Sequence, residues 1–116
     1  MKIRIKGNSL RYRLTKTEVE KLWSLGILEE RTQFAGKTLV YAIETAKADK
    51  LSANFIGDKI VLYMSKKMID ELHNTDKVGF DDRSESVSLL IEKDFVCIDN
   101  TNEDQSDNYP NPQLKC

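Results

Sequence analysis

Apolar and polar residues alternate with a period of two from the first residues of the chain. Ile3 and Ile5 share one side of residues 2–6, and Leu10, Tyr12 and Leu14 share one side of residues 9–14. A strand that buries one face has this period, because successive side chains point to opposite faces of the sheet. Between the two runs stands Gly7-Asn8, a two-residue hairpin turn of residues that accept positive φ at little cost. The period then lengthens to that of a helix. Thr15 and Glu18 have the spacing of a capping box, and Val19, Leu22 and Trp23 follow at helical intervals. Gly26 is a left-handed stop. Trp23 reads as a core residue on this pattern.

The same order returns at an offset of fifty residues: Gly57-Asp58 stands over Gly7-Asn8, Met64 over Leu14, Ser65-Lys66 over Thr15-Lys16, and Leu72 over Leu22. Continued without a gap, the offset places Leu89-Leu90 over Leu39-Val40 and Asp94 over Glu44. Few pairs are identities, but each fills the same physical role, and similarity at a fixed period identifies the structural unit. Further strands are expected near 27–34 and 37–44, turned by Gly36-Lys37, and near 77–80 and 86–98, joined by a polar connection from Asp81 to Glu85. The expected organisation is one domain over residues 1–99, made of repeats 1–44 and 51–94, followed by a tail over 100–116. That tail is polar, holds both prolines and has no period, so it reads as flexible or draped on the surface.

Composition narrows the class. The chain has 116 residues, 40% hydrophobic and 32% charged, which suits one soluble globular domain. No stretch approaches the roughly 20 apolar residues of a membrane span, and the charged, alternating start is no signal peptide. No membrane role and a cytoplasmic location are the expectation. Cys97 and Cys116, far apart in sequence, give no disulfide framework.

Charge adds more. Residues 1–21 hold seven Lys/Arg against two Glu, and residues 92–116 hold six Asp/Glu against two Lys. If the apolar positions of the first hairpin face inward, Lys2, Arg4, Lys6, Arg11 and Arg13 all face outward. Five cations on one ribbon face are unusual, because like charges repel across strands. A two-stranded ribbon also fits the DNA major groove, and five phosphate contacts would give a log–log salt slope of roughly −4 to −5. The bland alternative is a solvated face, or one paired with Glu29, Glu30 or the acidic tail. The outward positions of the second hairpin are Ser52, Asn54, Ile56, Lys59, Val61 and Tyr63. Ile56, Val61 and Tyr63 are apolar or aromatic, so a face covered by the tail, a second copy or a protein partner is the competing expectation.

Each copy resembles the AbrB/MazE-like swapped-hairpin unit. The resemblance rests on Gly7-Asn8 through Leu14 with a helix to Leu22, and on Gly57-Asp58 through Met64 with a helix to Leu72 and then Thr75-Asp76-Lys77-Val78. Thr15-Lys16 and Ser65-Lys66 stand where that family usually has proline at the first helical position, and the first copy has no Gly-Asp-x-Val segment after its helix. The resemblance implies two units that interleave their hairpins, and DNA binding as a regulator or antitoxin. The whole chain also resembles a family of small bacterial proteins with no assigned function. The expected fold is therefore α+β, a pseudo-twofold small β-barrel built from two β-hairpin–helix–β-β repeats, with an acidic C-terminal tail. The expected function is a nucleic-acid-binding regulator or antitoxin-like module. The alternative is a non-catalytic protein-interaction module. DNA, a protein or a second copy are the candidate partners.

Other chemistry is thinly represented. Asp99, Glu103, Asp104 and Asp107 with Cys97 offer oxygen and sulfur, but a calcium loop needs glycine where Asp104 stands. Zinc needs closely spaced Cys and His, whereas Cys97, Cys116 and His73 are dispersed. No metal and no cofactor is implied. His73, the one histidine, falls at the end of the second helix and reads as a cap or surface residue. With no Gly-rich phosphate loop and no nucleophile–base order, a non-enzyme is expected.

Overall fold

A computed structural model describes residues 1–95 and 106–110. The elements are β1 (Lys2–Lys6), β2 (Ser9–Leu14), α1 (Lys16–Leu25), β3 (Ile27–Gln33), β4 (Thr38–Ala46), β5 (Ser52–Ile56), β6 (Lys59–Ser65), α2 (Lys66–Asn74), β7 (Gly79–Ser84) and β8 (Val87–Lys93). Local chemistry sets their ends. Gly7 and Gly57 turn the two hairpins at φ 53° and 58°. The Thr15–Glu18 capping box is formed, and Gly26 closes α1 at φ 77°, its N–H donating to the Leu22 carbonyl. The Ser65 hydroxyl accepts the Met68 N–H at 3.1 Å to start α2.

The protein is α+β, with eight strands in two four-stranded sheets and two helices among the described residues. The first sheet has the order β1-β2-β8-β7 and the second β3-β4-β6-β5. The expected closed barrel does not form, because the two sheets share no ladder among the described residues. Each hairpin instead joins strands from the other half of the chain: β2 runs parallel to β8, and β4 parallel to β6. Edge strands would invite unwanted pairing, and β1, β3 and β7 all carry charged residues that discourage it. β5, Ser-Ala-Asn-Phe-Ile, is the edge without a charge.

Ladder register corrects the ungapped alignment. Ser9 pairs with Ser88, and Lys59 pairs with Val40. β1, β2 and α1 are followed at an interval of fifty by β5, β6 and α2, but β4 is followed by β8 at forty-eight. In these ladders Glu44 lies opposite Tyr63 and Glu92 opposite Arg13. The hairpin β7–β8 turns tightly at Glu85-Ser86, with Glu85 at φ 56°, where a longer connection from Asp81 was expected.

The hydrophobic core lies between the sheets and under the helices. Tyr12, Leu14, Val19, Leu22, Ile43, Leu62, Met64, Leu72, Leu89 and Ile91 are all buried there, each side chain contributing about 1.5–3 kcal/mol. Trp23 is not part of it. It is 40% exposed, because the buried stripe of α1 is Val19 and Leu22 and the next position turns toward α2.

The four hairpin turns gather at one end, and the β4–β5 link lies at the other. The Val40 N–H donates to the Asp58 carbonyl and the Ser88 N–H to the Asn8 carbonyl, so β4 and β8 begin beside the two glycine turns. Both helices follow the opposite ends of β2 and β6. Of the stretch read as a tail, residues 106–110 dock at the helix end. The Lys16 N–H donates to the Asp107 carbonyl, the Thr17 hydroxyl to the Asp107 carboxylate at 2.9 Å, and the Tyr109 N–H to the Asp94 carbonyl. Hydrogen bonds from Thr15 and then Thr17 hold the Asp107 carboxyl below its ordinary pKa, as suits an anion at a helix N-terminus. Cys97, Asp99, Glu103, Asp104 and Cys116 lie outside the described residues.

Candidate functional site

The five cations of the first hairpin share the outer face of the first sheet. Register sets them in cross-strand rows: Lys2 opposite Arg13 and then Glu92, Arg4 opposite Arg11 and then Leu90, and Lys6 opposite Ser9 and then Ser88. Arg83 extends the last of these rows, since it pairs with Ser88, and it is exposed. It falls in the stretch read from sequence as a connection, so no pattern marked it as part of a sheet face.

The face holds its own counter-charge. Glu92 accepts from Arg11 Nε at 2.6 Å and from Arg13 Nε at 2.9 Å. One carboxylate thus serves two guanidiniums and offsets the repulsion that facing cations create. Lys2 Nζ lies 3.0 Å from the buried Asp94 carboxylate. Glu29 and Glu30, the partners considered from sequence, are committed elsewhere: Glu29 to Arg31 and Lys59, and Glu30 to the Met1 ammonium. Glu92 was missed because it becomes a neighbour of Arg13 only through the parallel β2–β8 ladder.

Arg4 and Lys6 are exposed and form no ion pair with any other described residue. Together with Arg11, Ser9 and Leu90 they line a shallow concavity of about 310 Å³. Cations and a hydroxyl around one depression make a surface chemically matched to an oxyanion such as phosphate.

The second hairpin is organised differently. Ile56 is 67% exposed, but Val61 is 5% exposed and Tyr63 is half-buried. Cover over this face was expected from the tail, a second copy or a protein partner; at Val61 the sheet supplies it, since Val61 pairs laterally with buried Ala42 and Lys59 reaches across that row to Glu44 at 3.1 Å and Glu29 at 3.3 Å. Glu44 and then Glu29 raise the Lys59 pKa, while Arg31 and then Lys59 lower that of Glu29. The cover over Val61 is the sheet's own ion-pair network.

Two further polar groupings lie inside. The Met1 ammonium is held by Glu18 and by Glu30, and Glu30 also accepts from the Tyr41 hydroxyl at 3.1 Å. The Tyr12 hydroxyl is buried with no hydrogen-bond partner, and burial first, then Tyr41, pushes its pKa well up. His73 stacks on Trp23, and its Nδ1 lies 2.7 Å from the Asn74 side-chain Oδ1, which is no acid–base constellation. No group of three His, Cys, Asp or Glu placed to hold a metal ion occurs among the described residues. No described helix is long and apolar enough to cross a membrane.

Comparison with curated proteins and with solved structures gives no match. A family model does match, over residues 1–113, and the chain belongs to that family, a Family of unknown function (DUF7009).

Proposed function

We propose that the outer face of the first sheet binds the phosphate backbone of nucleic acid, and that the protein is a non-catalytic, nucleic-acid-binding regulator or antitoxin-like module of the bacterial cytoplasm. One observation carries the reading. Six cations stand on one exposed sheet face, with Arg4 and Lys6 unpaired among the described residues beside the Ser9 concavity. Phosphate contacts of this kind supply affinity without base readout, so binding is strongly salt-dependent and little dependent on sequence. The exchange of hairpins between the halves of the chain supports the further proposal that these are two swapped-hairpin units of the AbrB/MazE-like kind, related by a pseudo-twofold axis.

The test is fluorescence anisotropy of labelled duplex and single-stranded DNA from low to physiological salt. Saturable binding with a log–log slope near −4 is expected. Arg4→Glu with Lys6→Glu should weaken it more than tenfold, and these residues have no ion-pair partner among the described residues to orphan. Absence of binding at low salt overturns the proposal.

A second reading, a protein-interaction module, is favoured by β5. That edge strand has no charge, and Phe55 and Ile56 are 71% and 67% exposed. Association that persists in high salt and is lost in Ile56→Lys would select it, with a protein or a second copy as partner.

A further inference from the structure

We propose that the turn end of the molecule is a binding site for an amphipathic anion, a straight-chain carboxylate whose hydrocarbon part enters between the sheets. Among the described residues the sheets are plugged at the helix end, where α1 and α2 seat Leu22, Ile69 and Leu72 in the core. At the end where the hairpin turns gather no helix follows among the described residues, and there is a cavity of about 430 Å³. That lies within the roughly 300–1,000 Å³ of small-molecule sites, which are concave and mostly apolar.

The walls are hydrocarbon from both sheets: Ile5 and Leu10 from the first, Ala53, Phe55 and Ile60 from the second. Ile5 and Phe55 are 57% and 71% exposed at the mouth. Half-buried apolar walls with an exposed apolar rim gain most from a ligand that removes that rim from water.

Charge selects the head group. Asn8 and Ser9 of the first turn also line the cavity, and Ser9 lines the neighbouring depression with Arg4 and Lys6 as well. Lys6, one residue before Gly7, has no ion-pair partner among the described residues. A carboxylate that leaves the mouth past Ser9 comes to the rim of the depression that Lys6 lines on the outer face. This site lies between the sheets and does not depend on nucleic-acid binding by the outer face.

The experiment is displacement of the neutral dye N-phenylnaphthylamine from the full chain by a series of straight-chain carboxylates, with dodecanol as the uncharged comparison. The dye should bind saturably with one site per chain. Affinity should rise about fourfold per added methylene until the cavity is full, then level off. Dodecanoate should compete about tenfold better than dodecanol, and Lys6→Ala should remove that difference. Ala53→Leu, which fills the cavity from a half-buried edge position, should weaken every ligand more than tenfold. If that variant does not fold, amide shift changes in the wild-type chain decide, and they should cluster at the Gly7 and Gly57 turns. No saturable dye binding, equal competition by the alcohol, or shift changes spread elsewhere would overturn the proposal. So would sedimentation showing that a second copy covers the mouth and excludes the dye.

Discussion

Trp23 and His73 stack face to face, with ring centroids 4.1 Å apart and planes 2° from parallel. They occupy matching places near the ends of α1 and α2, and through them each helix braces the other outside the shared core. Aromatic pairs of this kind contribute about 0.5–1.5 kcal/mol beyond their buried area. His73→Ala should therefore lower the urea midpoint by an equivalent amount and raise acrylamide quenching of Trp23, the chain's one tryptophan. His73→Phe should restore both. Unchanged midpoint and quenching in His73→Ala would show that the stack carries no weight.

Glu92 is the shared counter-ion of Arg11 and Arg13. Its conversion to glutamine frees both guanidiniums, so DNA affinity should rise at low salt and the salt slope should steepen by about 1 to 2. Stability should fall by about 1–3 kcal/mol as charge-assisted hydrogen bonds are lost. A fall in affinity would mean that Glu92 aims the arginines rather than competing with the ligand.

Tyr12 buries a hydroxyl that meets no partner among the described residues. An orphaned polar group is costly, and deleting it leaves the ring packed. Tyr12→Phe should therefore stabilise the fold by about 1 kcal/mol, raising Tm by roughly 4 °C or more. A loss of stability on thermal unfolding would reveal a hydrogen bond in solution.

Glu18 is pulled in opposite directions. Burial pushes its carboxyl up, but the N-terminal ammonium and the Thr15 N–H outweigh burial and leave it lowered. A carboxylate lowered on folding contributes stability above its unfolded value of about 4.3. That contribution disappears as pH falls through the folded value. Glu18→Gln should be less stable at pH 7, and its stability should fall less between about pH 5 and pH 3. Parallel pH curves for the two proteins would refute the assignment.

Much of the local structure is legible in the residues. The glycine turns, the Thr15–Glu18 box and the alternation of residues 9–14 each act over a few positions. They place β1, β2, α1, β5, β6 and α2 close to their observed bounds. The basic face was legible as well, because β1 and β2 form a hairpin whose register follows from its turn. Errors begin with long-range pairing. Val61 was legible as an outward position on a covered face, but not what covers it: the ion pairs above it come from Glu29 and Glu44 on strands that its own segment does not specify. Asp81–Ser84 looked like a loop because its polar run has a strand's register only against β8.

The sequence by itself determined hairpins, helices, their caps and a cationic strand face, since periodicity, turn chemistry and capping are local interactions. Only the tertiary structure decided that each hairpin would pair with the other half of the chain. Parallel ladders such as β2 with β8 are chosen by how the two apolar faces close on one core, and no short segment records that choice. The counter-ion Glu92, the place of Arg83 and the open cavity at the turn end all follow from it.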